Sequence, residues 1–203
     1  MSRGAIIAFS IVGFIILVGL AIVGWWFGTY NKLVAYDQNV KQAWGEVETQ
    51  YQRRYDLIPN LVATVKGYAK HESDVFDKVA EAQANIGRVN MTLPSNVIDN
   101  PQEFKRFEEA QNGLGNALSR LLAITEAYPD LKSNQNFLAL QSQLEGTENR
   151  IAVARMRFNE SVQSYNTIVQ EMPGSIVASA SGFHTRPYFE AVQAAAAAPK
   201  VKF

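Results

Sequence analysis

Beyond residue 30 the apolar side chains fall at Leu33, Tyr36, Val40, Trp44, Val47, Tyr51, Tyr55, Ile58, Val62, Val65 and Ala69. The gaps are three and four, the period of a helix that buries one face. The steps three, four, four repeat from Leu33 through Trp44 to Tyr55, an eleven-residue period that predicts a long, nearly straight helix with at most a faint right-handed drift. Pro59 lies inside this pattern and has no N–H for the carbonyl of Tyr55, so a kink or local break is expected there. Gly67 and the polar run KHESD predict a turn near residues 68–73.

Three further stripes follow. Val75, Val79, Ala82, Ile86 and Val89 share one face of a second helix that ends before TLPSN. The third helix has the clearest start: Asn100 can accept from first-turn N–H groups, Pro101 suits the first helical position, and Glu103 stands where a capping-box acid belongs. Its stripe is Phe104, Phe107, Gln111, Leu114, Leu118, Leu121 and Thr125, and Tyr128-Pro129 stops it. The fourth carries Phe137, Leu140, Leu144, Ile151, Ala154, Phe158, Val162, Tyr165 and Val169 and ends at Pro173-Gly174. Helices over about 30–67, 74–90, 101–127 and 134–172, joined by short loops with no strand-like alternation, predict an all-α fold. The expected arrangement is an antiparallel up-and-down four-helix bundle whose first and last helices are the longest.

Ahead of these stripes, behind a short tail of residues 1–4, stands an uncharged run over residues 5–27, AIIAFSIVGFIILVGLAIVGWWF. It makes roughly 35 Å of helix against a hydrocarbon core of about 30 Å. A cleaved signal peptide has a shorter apolar region and small residues at its end. This run ends in Trp25, Trp26 and Phe27, with Tyr30 close behind, an aromatic belt suited to the headgroup boundary. It predicts an uncleaved transmembrane anchor that binds the lipid bilayer. Gly24 and Gly28 form a small-xxx-small pair available for helix packing. Arg3 precedes the run while Lys32 and Lys41 follow it, a bias of one charge toward a cytoplasmic soluble part that leaves the side of the membrane open.

From Gly174 the composition changes, with SIVASASG, an aromatic TRPYFE element, an alanine run and a terminal PKVKF. Residues 173–203 read either as a low-complexity tail carrying docking elements or as a segment that packs back on its own helices.

Composition removes several function classes. The 203 residues contain 19 basic and 19 acidic side chains, which leaves no electrostatic footprint for nucleic acid. The absence of cysteine excludes disulfides, thiolate metal sites and a thiol nucleophile. The two histidines, His71 and His184, lack the Glu-x-x-His spacing of a di-metal bundle and read as solvated surface groups. No nucleophile elbow, P-loop or dinucleotide fingerprint occurs. The expectation is therefore no catalytic residues, no cofactor and no metal.

One polar set stands out. Glu148 and Arg155 flank the stripe of the last helix, Glu48 and Arg54 that of the first, and Glu126 that of the third. They read as a layer of Glu–Arg pairs fixing helix register, or as boundary side chains reaching water along their stems. Tyr51, Arg53, Arg54, Tyr55, Tyr188 and Phe189 are the partner-contact candidates, because tyrosine and arginine are enriched among interface anchors.

The elements YNKLV, DQNVKQAWGEVETQYQRRYDLIPNLV, EAYPDLKSNQNFLALQSQLEGTENRIAVARMRFNESVQSYN, PYFE and PKVKF, together with the anchor, resemble the LemA family of bacterial membrane proteins over nearly the whole chain. The tail departs slightly, with MP where many relatives carry an aromatic before the proline. The resemblance implies a helical bundle held at the bacterial plasma membrane by one span, with no established enzymatic activity. The expected function is a non-enzymatic scaffold or adaptor for unidentified membrane or envelope proteins. A sensory or ligand-binding bundle and a homo-oligomeric assembly are the alternatives.

Overall fold

The computed structural model describes residues 3–92 and 97–190, with side chains over 9–88 and 97–190. The loop past Thr92, the alanine run and the PKVKF ending lie outside these residues. Every regular element among the described residues is a helix. Helix α1 spans Arg3–Tyr68, α2 Ser73–Thr92, α3 Pro101–Ile124, α4 Pro129–Lys132, α5 Gln135–Gln170 and α6 Gly174–Ser181, with 3-10 turns at Val97–Asp99 and Thr125–Ala127.

Helix α1 is a single element of 66 residues that contains both the apolar run and the first stripe. Its most apolar window has a mean hydropathy of 2.3 and none of it is buried, so the helix is long and apolar enough to cross a membrane. The break expected at Pro59 does not occur. That residue is exposed, so its ring meets solvent instead of a packed neighbour and the helix loses one backbone bond without ending. The stripe reading holds at Leu33, Val40, Trp44, Val47, Tyr51, Ile58, Val65 and Ala69, all buried. It fails at Tyr36, which is 37% exposed. Arg54 and Leu61 are buried instead, because the apolar face is wider than one residue per turn.

The N-terminus of α3 forms as its sequence requires: Asn100 Oδ1 accepts from the backbone N–H of Gln102 at 2.9 Å and of Glu103 at 3.4 Å. Its whole stripe from Phe104 to Thr125 is buried. The turn after α1 closes with Glu72 N–H donating to the carbonyl of Ala69 at 3.2 Å.

The chain divides into two compact units. One comprises residues 1–41 with 163–185. Its buried side chains include Leu33, Val40, Tyr165 and Val177, the rings of Tyr30 and Phe183 meet edge to face at 5.9 Å, and Asp37 pairs with Lys41 at 2.9 Å. Helix α6 lies within the segment read either as a tail or as one packing back on its own helices. Its eight residues are too few to show a period, yet Val177 and Ala178 are buried. A Cβ at Gly174 would strike the carbonyl oxygen of Ile168, and Gly182 ends the helix at φ 78°.

The second unit holds residues 42–162 and, of the tail, the described residues from Arg186 to Glu190. Its interior has a mainly aliphatic part, built from Ile58, Leu61, Val65, Val79, Leu114, Leu118, Leu121 and Leu144 together with Phe76 and Phe137 among others. It also has an aromatic part centred on Trp44.

Candidate functional site

In the second unit three helices bring one polar residue each to a common point. Arg54 of α1, 4% exposed, donates through Nη2 to the carbonyl of Gln111 at 3.1 Å and to its Oε1. Nη1 donates to the Glu148 carboxylate of α5 at 3.2 and 3.4 Å. The guanidinium also lies 5.0 Å from the centre of the Tyr51 ring, and its Nε has no acceptor among the described residues. On α1 this arginine falls between Tyr51 and Ile58, on α3 Gln111 falls between Phe107 and Leu114, and on α5 Glu148 follows Leu144. The polar contact therefore sits where the aromatic interior gives way to the aliphatic one. The Glu148 carboxyl on its outer side is 45% exposed, so the contact runs from a buried guanidinium to solvent.

The sequence placed Arg54 and Glu148 on the stripe edge, and the structure pairs them. Arg155 instead pairs with Glu108 at 2.8 Å. Glu126 is an exposed partner of Lys132, and Glu48 is exposed. Sequence reasoning counted Gln111 within the apolar stripe, where a polar residue is itself a sign of a buried partner, and it missed Glu108.

Below this layer Trp44 meets Phe104, Phe107 and Phe158 with ring centres 5.8, 5.2 and 5.5 Å away. Phe189 completes the cluster, 4.7 Å from Phe104 and 5.4 Å from Phe158. This partner-contact candidate is 6% exposed, so its ring packs within its own chain, where it gains more contact area than at a solvated surface. Tyr188 beside it is 42% exposed.

Polar contacts from several elements hold this segment. The Phe189 N–H donates to Asn159 Oδ1 at 2.9 Å, and Asn159 Nδ2 donates to the Phe189 carbonyl at 3.0 Å. Arg155 Nη2 donates to the Glu190 carbonyl at 3.1 Å while its guanidinium lies 4.4 Å from the Phe189 ring centre. Arg186, also buried, reaches Asp99 at 2.8 Å. Burial raises the Glu108 carboxyl above its ordinary value, although Arg155 beside it pulls the other way. Burial likewise raises Tyr51. Asn159, Asp99 and Arg186 carried no signal in the sequence, since each partner is remote along the chain.

An open groove of about 1000 Å³ runs along α1, lined by Trp44, Glu48, Thr49, Tyr51, Gln52, Arg53, Tyr55 and Asp56, with Ile86 and Gly87 of α2, Val97, and Phe107 and Gln111 of α3. Three contact candidates meet there: Arg53 is exposed, Tyr55 half-buried, and Tyr51 buried at the floor. At the end of the apolar run Trp25 is 38% exposed and Trp26 half-buried, and Tyr30 just behind it is 38% exposed. A Cβ at Gly24 or Gly28 would meet nothing within 4 Å.

The model of the LemA family matches residues 43–203. The chain belongs to the LemA family. This match takes in every helix after α1, the Arg54 layer and the segment around Phe189. Among characterised relatives, the magnetosome protein MamQ of Magnetospirillum gryphiswaldense is 27% identical over 174 residues, which cover 79% of this chain and 64% of that protein. The chain thus spans less than two thirds of that relative. Magnetosome protein MamQ 2 of Paramagnetospirillum magneticum is 25% identical over 204 residues, covering 94% of this chain and 74% of the relative. LemA family membership and the apolar part of α1 agree on association with a membrane.

Proposed function

We propose that this LemA-family protein is a non-enzymatic adaptor held in the bacterial plasma membrane by a single span, whose helices pack as an antiparallel up-and-down four-helix bundle and bind other membrane or envelope proteins. The observation that carries this reading is the groove along α1. The same helix that contains the apolar run presents Glu48, Arg53 and Asp56 beside Tyr51, Tyr55 and Trp44. Aromatic and arginine anchors within a rim of both charge signs suit a protein partner, and membrane confinement raises the effective concentration of that partner.

The test is site-specific photocrosslinking in intact cells, with the photoreactive residue at Arg53 or Asp56 in the groove and at Arg88 as an off-groove control. The expected result is a discrete set of protein adducts at the two groove positions, absent from the control. Adducts equal at all three positions would sink the reading. The groove volume also falls within the range of about 300–1000 Å³ typical of small-molecule sites, which favours a ligand-binding bundle as the second reading. In that case the groove positions yield no protein adducts, and the purified protein gains thermal stability with a low-mass extract of the same cells.

A further inference from the structure

The five residues from Arg186 to Glu190 are bound to the helices of their own chain as a peptide is bound to a receptor. Asn159 offers the Phe189 backbone one donor and one acceptor, at 3.0 and 2.9 Å, the pair of bonds that a residue of a neighbouring strand would offer. The Phe189 ring enters the cluster of Trp44, Phe104 and Phe158. Arg155 covers that ring and takes the Glu190 carbonyl, while Asp99 takes Arg186. This is extended-segment recognition, in which main-chain bonds give affinity and a side-chain pocket gives specificity.

We propose that this seat is exchangeable, and that a second copy of the chain supplies the same segment to it, so that neighbouring copies are joined by reciprocal exchange of residues 186–190. Exchange preserves each of these contacts, because donor and receptor carry identical sequences, so its free-energy cost lies in association and in the connecting residues alone. Those connections are short, and Phe183 is anchored within them: its ring meets Tyr30 and its N–H donates to the Ala178 carbonyl at 3.0 Å. Gly182 stands at φ 78°, and His184 and Thr185 are exposed. The step from Ser181 to Arg186 reaches at most about 17 Å, so only a copy in direct contact can donate. Copies held in one membrane by the apolar part of α1 meet that condition far more often than freely diffusing ones. The inference stands apart from the adaptor reading, since it requires no other protein.

The experiment pairs two full-length variants under different affinity tags. Arg186→Ala with Phe189→Ala spoils the segment and leaves the seat; Arg155→Ala with Asn159→Ala spoils the seat and leaves the segment. Co-expressed and solubilised in mild detergent, the mixed pair is expected to co-purify at least about tenfold above either variant paired with itself. A synthetic peptide of residues 186–190 should release it. Asn159→Ala alone, which touches only the Phe189 backbone, repeats the test should the double variant lose helix content by circular dichroism. As an independent arm, the labelled peptide should bind the segment-spoiled variant saturably by fluorescence anisotropy. Mixed pairs recovered no better than the self-pairs overturn the proposal. So does failure of the peptide to bind a folded seat, or occupation of that seat by a different protein in place of the second copy.

Discussion

Removing Glu148 and removing the whole Arg54 layer are different experiments. Glu148→Ala leaves the guanidinium with neutral acceptors only; because the lost carboxyl is 45% exposed, the expected cost in chemical unfolding followed by circular dichroism is about 2 kcal/mol, below that of a fully buried pair. Replacing all three partners together, as Arg54→Met, Gln111→Leu and Glu148→Ala, removes the charge as well as its compensation and should fall within about 1 kcal/mol of the parent. Additive losses in the triple variant would contradict the layer's geometry. Glu108 sets a pH dependence. Its carboxyl is raised in the folded chain above the ordinary 4.5, so the native state binds the proton more tightly than the unfolded state does. This contribution favours folding at pH below 4.5 and is lost as pH rises through the folded value. Glu108→Gln should therefore raise the melting temperature relative to the parent more at pH 7 than at pH 4.5; an equal difference at both would refute the assignment. Of these residues, Arg54 and Glu148 were legible because helical spacing set them beside the buried stripe. The partner of Arg155 was not, because spacing within one helix says nothing about which residue of a neighbouring helix lies opposite.

Helix periods and caps are local, and for that reason the stripes of α2, α3 and α5 are visible in the sequence, whereas the joining of the apolar run and the first stripe into one helix, Arg3–Tyr68, is not. The start of α3 at Asn100-Pro101 follows from a side-chain acceptor and a preset φ, both written in two adjacent letters. Helix α6 escaped because Gly174–Ser181 spans barely two turns, too short for a period to emerge from small side chains. Pro59 shows the opposite error. A local rule predicted a break, and the surrounding packing of Ile58, Leu61 and Val65 holds the helix through it. Pro59→Ala returns a donor to the Tyr55 carbonyl and should stabilise the chain by up to about 3 kcal/mol, read from unfolding midpoints at unchanged denaturant slope. A destabilised variant would mean that the proline geometry is required by its surroundings.

At the scale of the whole molecule, the apolar part of α1 is the stretch among the described residues that is long and apolar enough to cross a membrane, and the single-span reading can be tested there. Ile16→Arg together with Leu20→Arg places two charges in the middle of the uncharged run, at a cost of about 3 kcal/mol each. The doubly substituted chain is expected to move from the membrane to the soluble fraction after carbonate extraction; retention in the membrane would mean that attachment lies elsewhere. Family membership was legible because it depends on long stretches of sequence, whereas the seat of the tail was not. Phe189 reads as an exposed aromatic until Trp44, Phe104 and Phe158, from three different helices, are brought around it.

That seat also carries its own clock. The Phe189 amide hydrogen is held by the Asn159 side chain, so it can exchange with deuterium only when the segment lifts away. In a native-state exchange experiment this one amide should lag behind those of exposed His184 and Thr185, and its protection reports the fraction of time the segment is open, with no probe attached to a chain free of cysteine.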